Sequence, residues 1–205
     1  MKIVVATRNR GKLVEILKLL SEGGGQAGVE LVTIDDVAPA AILREDEDTF
    51  EGNALAKARQ AAAATGLPAI ADDSGLEVDA LGGAPGVWSA RYAGEPSDDA
   101  RNNAKLLAAL AGVPSEKRSA RFRCVAAFVD RAAGVELARS GACEGIILPA
   151  PRGSGGFGYD PLFLVPALDQ TMAELPLAQK NQISHRAAAF HALADAMKAR
   201  AANAR

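Results

Sequence analysis

The apolar run Ala69-Ile70-Ala71 ends abruptly in Asp72-Asp73-Ser74-Gly75, and this junction constrains the chain more than any other stretch. A short apolar run of this kind reads as a buried strand. Two adjacent carboxylates are costly to bury without partners. The fold therefore has to bring something to the end of that strand: a metal ion, a cationic ligand, or Lys and Arg from elsewhere. Gly75 lets the backbone turn sharply directly afterwards, with Leu76-Glu77-Val78 as a candidate short strand beyond it. On these residues alone, a strand-to-turn junction capped by Asp and Ser explains the pattern equally well.

The flanking sequence alternates strand and helix signals. Lys2 to Ala6 reads as a first strand. Leu13, Ile16, Leu17 and Leu20 follow at helical spacing, with Gly23-Gly24-Gly25 as the stop. Val29 to Ile34 predicts a second strand. Asp48 and Glu51 fit a capping box for an alanine-rich helix from about Thr49 to Thr65, ended by Gly66-Leu67-Pro68. Gly82 to Gly94 reads as a long irregular loop, the kind that usually carries function. Ser97 is expected to cap a helix reaching about Ala111. Ala120, Phe122, Cys124, Ala126 and Phe128 alternate with Arg121 and Arg123, predicting a half-buried strand that turns at Gly134 into a hairpin partner, Val135 to Ile147. Phe190, Leu193, Ala194 and Met197 mark the inner face of a last helix, and the tail from Ala201 is expected to fray. Crossovers together with a hairpin indicate an α/β fold with a mixed central sheet flanked by helices.

At 205 residues the chain fits a single domain over residues 1–205, or one domain with two lobes. A net charge of −2 argues against a non-specific nucleic-acid binder, which needs a surplus of Lys and Arg. Cys124 and Cys143 are too few for a disulfide framework or a zinc cluster, and read as small buried apolar residues. The apolar run at the N-terminus is too short for a signal peptide, and no run reaches the roughly 18 residues of a membrane span. The expectation is a cytoplasmic protein with no membrane or nucleic-acid partner.

Two stretches match GxGxxG by letter, Gly23 to Gly28 and Gly153 to Gly158. Neither lies between a strand and a helix, so a dinucleotide site is rejected. Gly11-Lys12 is not a Walker A loop, because Leu13 stands where a Ser or Thr would hold magnesium. The loop still has the ingredients of a phosphate site. Thr7 and Asn9 offer side-chain donors, Lys12 a charge, and the helix near Gly11 its free N–H groups. The acidic run Glu45-Asp46-Glu47-Asp48, set beside Asp72 and Asp73, makes a candidate magnesium site of hard oxygen ligands. Lys180, Ser184, His185 and Arg186 gather donors suited to phosphate oxygens or the keto edge of a base. Phe157 and Tyr159 offer aromatic faces on which a base can stack. Together these are the needs of a nucleotide.

At this point the sequence resembles the inosine triphosphate pyrophosphatase family, in its bacterial branch. The matching blocks are Thr7-Arg8-Asn9-Arg10-Gly11-Lys12, Phe50-Glu51-Gly52-Asn53-Ala54 with Lys57, Ala71-Asp72-Asp73-Ser74-Gly75-Leu76, Gly82 to Val87 with Ser89-Ala90-Arg91-Tyr92, Gly156-Phe157-Gly158-Tyr159-Asp160-Pro161, and Ser184-His185-Arg186. The resemblance implies hydrolysis of non-standard purine triphosphates (dITP, ITP, XTP) to the monophosphate and pyrophosphate, which cleanses the nucleotide pool. It implies that Thr7, Arg8, Asn9, Arg10, Gly11 and Lys12 hold the triphosphate, with Lys57 near the phosphates. Asp73 would be the proton acceptor and a ligand of Mg2+. The second acidic ligand would be Glu45 by spacing, with Asp46 and Glu47 as alternatives. Ser74 would touch substrate, and Phe157, Gly158, Tyr159 and Asp160 would hold the base. Lys180, His185 and Arg186 would contact the base and its 6-keto oxygen. The resemblance further implies an elongated fold with the active site in a cleft between two lobes, and a homodimer. Asp72, pointing away from Asp73 along a strand, is expected to support the site from behind or to pair with a lysine. The rivals are a pyrimidine-selective pyrophosphatase and an idle nucleotide-binding protein.

Overall fold

The computed structural model describes residues 1–22 and 29–203. The expected stop at Gly23-Gly24-Gly25, the first GxGxxG match and the last two residues of the tail lie outside these residues. The strands are β1 (Lys2–Val5), β2 (Glu30–Thr33), β3 (Ala69–Val78), β4 (Ser119–Asp130), β5 (Val135–Ile147), β6 (Phe163–Val165) and β7 (Gln170–Thr171). The helices are α1 (Arg10–Glu22), α2 (Ile34–Val37), α3 (Phe50–Thr65), α4 (Asp99–Ala109), α5 (Leu177–Ile183) and α6 (His185–Asn203). The described strands form one sheet in the order β2-β1-β3-β4-β5-β6-β7. β1 runs parallel to β2 and β3, whereas β6 runs antiparallel to β5 and β7, so the sheet is mixed. Val5 pairs with Ile70 in the β1–β3 register, and the Ala6 N–H bonds the Ile70 carbonyl at 2.7 Å. The chain leaving β1 thus starts beside the residues just before Asp72. Ligands of parallel α/β sheets bind at such carboxyl ends.

The chain divides into two compact units. The first comprises Met1–Asp73, Cys124–Gly141 and His185–Arg205. Its core joins Ile3, Val5 and Ile70 of the sheet to Ile16 and Leu19 of α1 and Phe190 and Leu193 of α6. Gly141 of β5 makes room for the first turn of α6: a Cβ there would lie 2.3 Å from the His185 carbonyl oxygen and 2.5 Å from the Ala189 nitrogen. The second unit comprises Ser74–Arg123 and Ala142–Ser184. Leu106 of α4 and Leu110 at its C-terminal cap pack there with Leu76, Val78, Phe122, Ile147 and Phe163. The Phe122 and Phe163 rings meet at 4.3 Å between centroids. The two cysteines are buried and free, Cys124 in the first core and Cys143 in the second.

Several local expectations need correction. No turn occurs at Gly75, and β3 runs unbroken through it for ten residues. Leu76 and Val78 are buried alternating positions that keep the strand going. Thr49, not Asp48, caps α3, its Oγ1 accepting the Gly52 N–H at 3.0 Å. Asp98, not Ser97, caps α4 through the Arg101 N–H at 2.8 Å, while Ser97 donates to the Ala90 carbonyl. The loop from Gly82 to Gly94 contains a 3-10 helix, Gly86–Arg91. Its Ser89 hydroxyl accepts the Leu76 N–H at 2.8 Å and donates to the Gly86 carbonyl at 2.6 Å. Among the described residues, no helix is long and apolar enough to cross a membrane.

Candidate active site

In the first unit the site is built on three elements. Asn9 caps α1, its Oδ1 accepting the Lys12 N–H at 3.0 Å. That places Gly11 and Lys12 in the first helical turn, where the dipole favours anions. The Lys12 ammonium reaches inward to Asp72 Oδ2 at 3.5 Å. Arg8 turns elsewhere. Its guanidinium bonds Asp35 and the carbonyls of Pro39 and Ala41, each at 2.8 Å, clasping the segment after α2. Arg10 is exposed.

Helix α3 supplies two buried polar residues one turn apart, Asn53 and Lys57, on an otherwise alanine-rich face. Asn53 Nδ2 donates to Asp73 Oδ2 at 3.0 Å and to the Glu47 carbonyl at 3.1 Å, and Oδ1 accepts the Glu47 N–H at 2.9 Å. One side chain thereby ties the acidic loop to Asp73. Lys57 lies 3.6 Å from Asp73 Oδ1 and hydrogen-bonds Glu45 Oε1. Glu45 is half-buried, while Asp46 and Glu47 are exposed. Burial works against the Lys57 charge, but Asp73, Glu45 and Asp72 outweigh it and hold the ammonium protonated. For Glu45, burial pushes the carboxyl up and Lys57 with Lys12 brings it below its usual range.

Asp72 and Asp73 face opposite sides of β3, as alternation requires, and their partners differ. Asp72 is fully buried and takes Nε and Nη2 of Arg186 at 3.2 and 3.3 Å. Its Oδ2 also lies 3.8 Å from the Cys124 thiol. The third arm of Arg186 bonds Glu15 of α1, itself buried. Burial raises the Asp72 carboxyl, but Lys12, Arg186 and Lys57 together hold it well below the usual carboxylate range. The expected pairing of Asp72 with a lysine is present, and Arg186 shares the role. Asp73 goes the other way: burial pushes it up, and the nearby charges of Glu45 and Asp72 add to that against Lys57 and Lys12. Glu15, Glu45, Asp72 and Asp73 set four negative charges against the three positive charges of Lys12, Lys57 and Arg186. His185 is buried at the start of α6, beside Arg186.

In the second unit Ser74 follows Asp73 in β3 and is half-buried. The loop from Gly153 to Asp160 turns at Gly153, Gly156 and Gly158, all with positive φ. Asp160 Oδ2 accepts the Phe157 N–H at 2.9 Å and the Lys180 ammonium at 2.5 Å. The Lys180 ammonium also lies 4.9 Å from the centre of the half-buried Phe157 ring, a cation–π contact. Tyr159 is buried, its hydroxyl donating to the Ser89 carbonyl at 2.8 Å. Its aromatic ring is therefore an anchor of the loop, and the half-buried Phe157 is the more accessible of the pair.

Sequence reasoning missed Glu15 and gave Asn53 no role. Asn53 had a legible signal, a polar residue four positions before a lysine in an alanine-rich helix. Glu15 had none, because an acidic residue on a helix otherwise reads as solvated. Two carboxylates, Glu45 and Asp73, share Lys57, and their oxygens with the excess negative charge among these side chains suit a hard divalent cation. Asp72 Oδ1, closed from solvent, takes no hydrogen bond among the described residues. No three His, Cys, Asp or Glu side chains among those residues are placed to hold a metal ion together, so a cation here would need ligand oxygens besides the protein's.

Comparison with known proteins places the chain among relatives along nearly its whole length. The model of the Ham1 family matches residues 3–196. A dITP/XTP pyrophosphatase of Desulforamulus reducens is 53% identical over 190 residues, 93% of this chain and 92% of that protein. One from Geobacter sulfurreducens is 53% identical over 194 residues, 95% of each. Among solved structures, the Ham1 protein of Staphylococcus aureus superposes with a TM-score of 0.85 at 39% identity, covering 98% of this chain and all of that one. A HAM1 protein from Coxiella burnetii gives the same TM-score at 42% identity, covering 97% and 98%. With the fold, the acidic junction of β3 and the glycine-rich aromatic loop all in place, the chain belongs to the Ham1 family.

Proposed function

We propose that this protein hydrolyses dITP, ITP and XTP-type purine triphosphates between the α and β phosphates, releasing the monophosphate and pyrophosphate. The observation that carries the reading is the environment of Asp73, a buried carboxylate with a raised proton affinity, fixed by Asn53 and facing Lys57. A carboxylate of this kind is suited to take a proton from an attacking water. The relatives named above lend the substrate class.

In this reading the phosphate and metal groups come from the start of α1, the acidic loop, α3 and β3. Thr7, Asn9, Gly11 and Lys12 hold the triphosphate at the start of α1, and Lys12 stabilises the departing pyrophosphate. Glu45 and Asp73 would hold Mg2+, which supplies neutralisation of charge on the phosphate oxygens. Lys57 keeps both carboxylates in place and offers a positive charge near the phosphates. Base recognition falls to the loop from Gly153 to Asp160, with Ser74, Lys180 and His185. Phe157 stacks on the purine, Asp160 and Lys180 fix its ring, and Ser74 touches the substrate. His185 and Lys180 donate to the keto oxygen at position 6, where adenine would present an amino donor instead. A site built to pair a keto oxygen rejects the analogue lacking it by a large factor. Arg186, engaged by Glu15 and Asp72, serves the site from behind by holding Asp72 ionised. Arg10 contributes positive charge at the mouth of the phosphate loop, while Arg8 braces the segment after α2. A homodimer working in the cytoplasm on the nucleotide pool completes the reading.

The test is a product assay. Purified protein is incubated with dITP, XTP, dGTP and dATP, with MgCl2 and with EDTA. We expect pyrophosphate and monophosphate from dITP and XTP, much slower turnover of dATP, and loss of activity on chelation that MgCl2 restores. Release of orthophosphate, or equal rates on all four nucleotides, would overturn the reading.

A further inference from the structure

The loop carrying Phe157 contains Gly153, Gly155, Gly156 and Gly158, so its own backbone does little to fix an aromatic side chain. On one side of Phe157 the Gly155 N–H bonds the Ala173 carbonyl at 3.0 Å, and on the other Tyr159 is anchored on Ser89. Between these, both polar groups of Gly158 are taken by α4. The Gly158 N–H donates to Asp99 Oδ2 at 2.7 Å, and the Gly158 carbonyl accepts from Asn103 Nδ2 at 2.9 Å. Asp99 and Asn103 stand four residues apart, on one face of the helix. Gly158 has φ +61°, and a Cβ there would meet nothing within 4 Å. The glycine is required by the backbone conformation that presents both groups to α4, not by lack of space.

Asn103 supplies a second, independent observation. Its Oδ1 is closed from solvent and takes no hydrogen bond among the described residues. A side chain kept only for packing would not bury an unsatisfied carbonyl, which is unfavourable. Reversing the amide would set oxygen against the Gly158 carbonyl oxygen. The amide is therefore explained by its bond to Gly158. Asp99 is charged, and charge-assisted bonds to backbone N–H groups are the stronger kind.

We infer that Asp99 and Asn103 are positioning residues for base recognition: they clamp Gly158 and thereby hold the adjoining Phe157 in the pose that receives the purine. The inference rests on the reading of Phe157 as the stacking residue. Neither Asp99 nor Asn103 touches the reacting phosphates in this scheme, so their loss falls on KM and base selectivity more than on kcat.

The experiment compares steady-state kinetics on dITP and dATP for the unaltered protein, Asp99→Ala, the double variant Asp99→Ala/Asn103→Ala, and Phe157→Ala, with urea midpoints for each. We expect the double variant to raise KM for dITP by about tenfold or more, with a smaller change in kcat, and to narrow the preference for dITP over dATP. If KM and preference stay within about twofold while Phe157→Ala raises KM, the clamp is merely structural and the inference falls, whatever happens to the urea midpoint. If Phe157→Ala also leaves KM unchanged, the base-stacking reading itself fails and takes the inference with it. Asp99 is exposed, so Asp99→Ala alone keeps the core intact and decides the matter should the double variant not fold. A rise in KM of about threefold is then expected, and none would overturn the clamp.

Discussion

Asp73 and Asp72 are chemically identical neighbours made different by what each faces. Asp72 meets two cations and is held ionised, whereas Asp73 meets Asn53 and one lysine amid other carboxylates and gains proton affinity. The same division of labour separates acid and base in many enzymes. Replacing Asp73 by Asn preserves volume and an acceptor for Asn53 while removing the proton acceptor. We expect kcat on dITP to fall at least about a thousandfold, with the thermal midpoint little changed, checked by pyrophosphate release and a melting curve. At this scale the sequence was informative: the alternation along a strand already separated the two carboxylates. It was silent on Glu15, because burial of a helical glutamate depends on a partner, Arg186, that lies 171 positions away in the chain.

Elements were legible where they are long and periodic, and not where a single hydrogen bond decides. Thr49 and Asp48 are both competent caps, and which one reaches the Gly52 N–H depends on how the acidic loop approaches α3. Asp98 and Ser97 pose the same problem at α4. At Gly75 the flexibility of glycine predicted a turn, but the buried Leu76 and Val78 carry the strand through it. β7 and α5 are too short for periodicity to register. Gly141 is an element-scale requirement, since it sets the distance between β5 and the first turn of α6. Gly141→Ala would force a methyl into the His185 carbonyl and the Ala189 nitrogen. We expect a loss of about 1–3 kcal/mol in urea unfolding. We also expect lower kcat/KM on dITP, because the displaced turn begins with His185 and Arg186. Gly66→Ala, which meets nothing within 4 Å and suffers only its left-handed φ of +69°, is the comparison for backbone strain alone.

For the whole molecule, the family was readable from ordered motifs and the mixed sheet from crossovers together with a hairpin. Stability at this scale depends on the fully buried Arg186, which joins α6 to α1 and β3 within the first unit. Arg186→Met would leave Glu15 and Asp72 without their shared counter-charge, and we expect a loss of about 3–5 kcal/mol in urea unfolding. Restoring part of it by the further change Glu15→Gln would measure the coupling directly. The run of contacts Glu15–Arg186–Asp72–Lys12 alternates in sign at each step. Losing either central member, Arg186 or Asp72, removes a counter-charge from both of its neighbours in the run, and a change at a neighbour offsets it. Divergence at the two central positions therefore comes with a compensating exchange at a neighbour, whereas the two ends of the run are freer to drift.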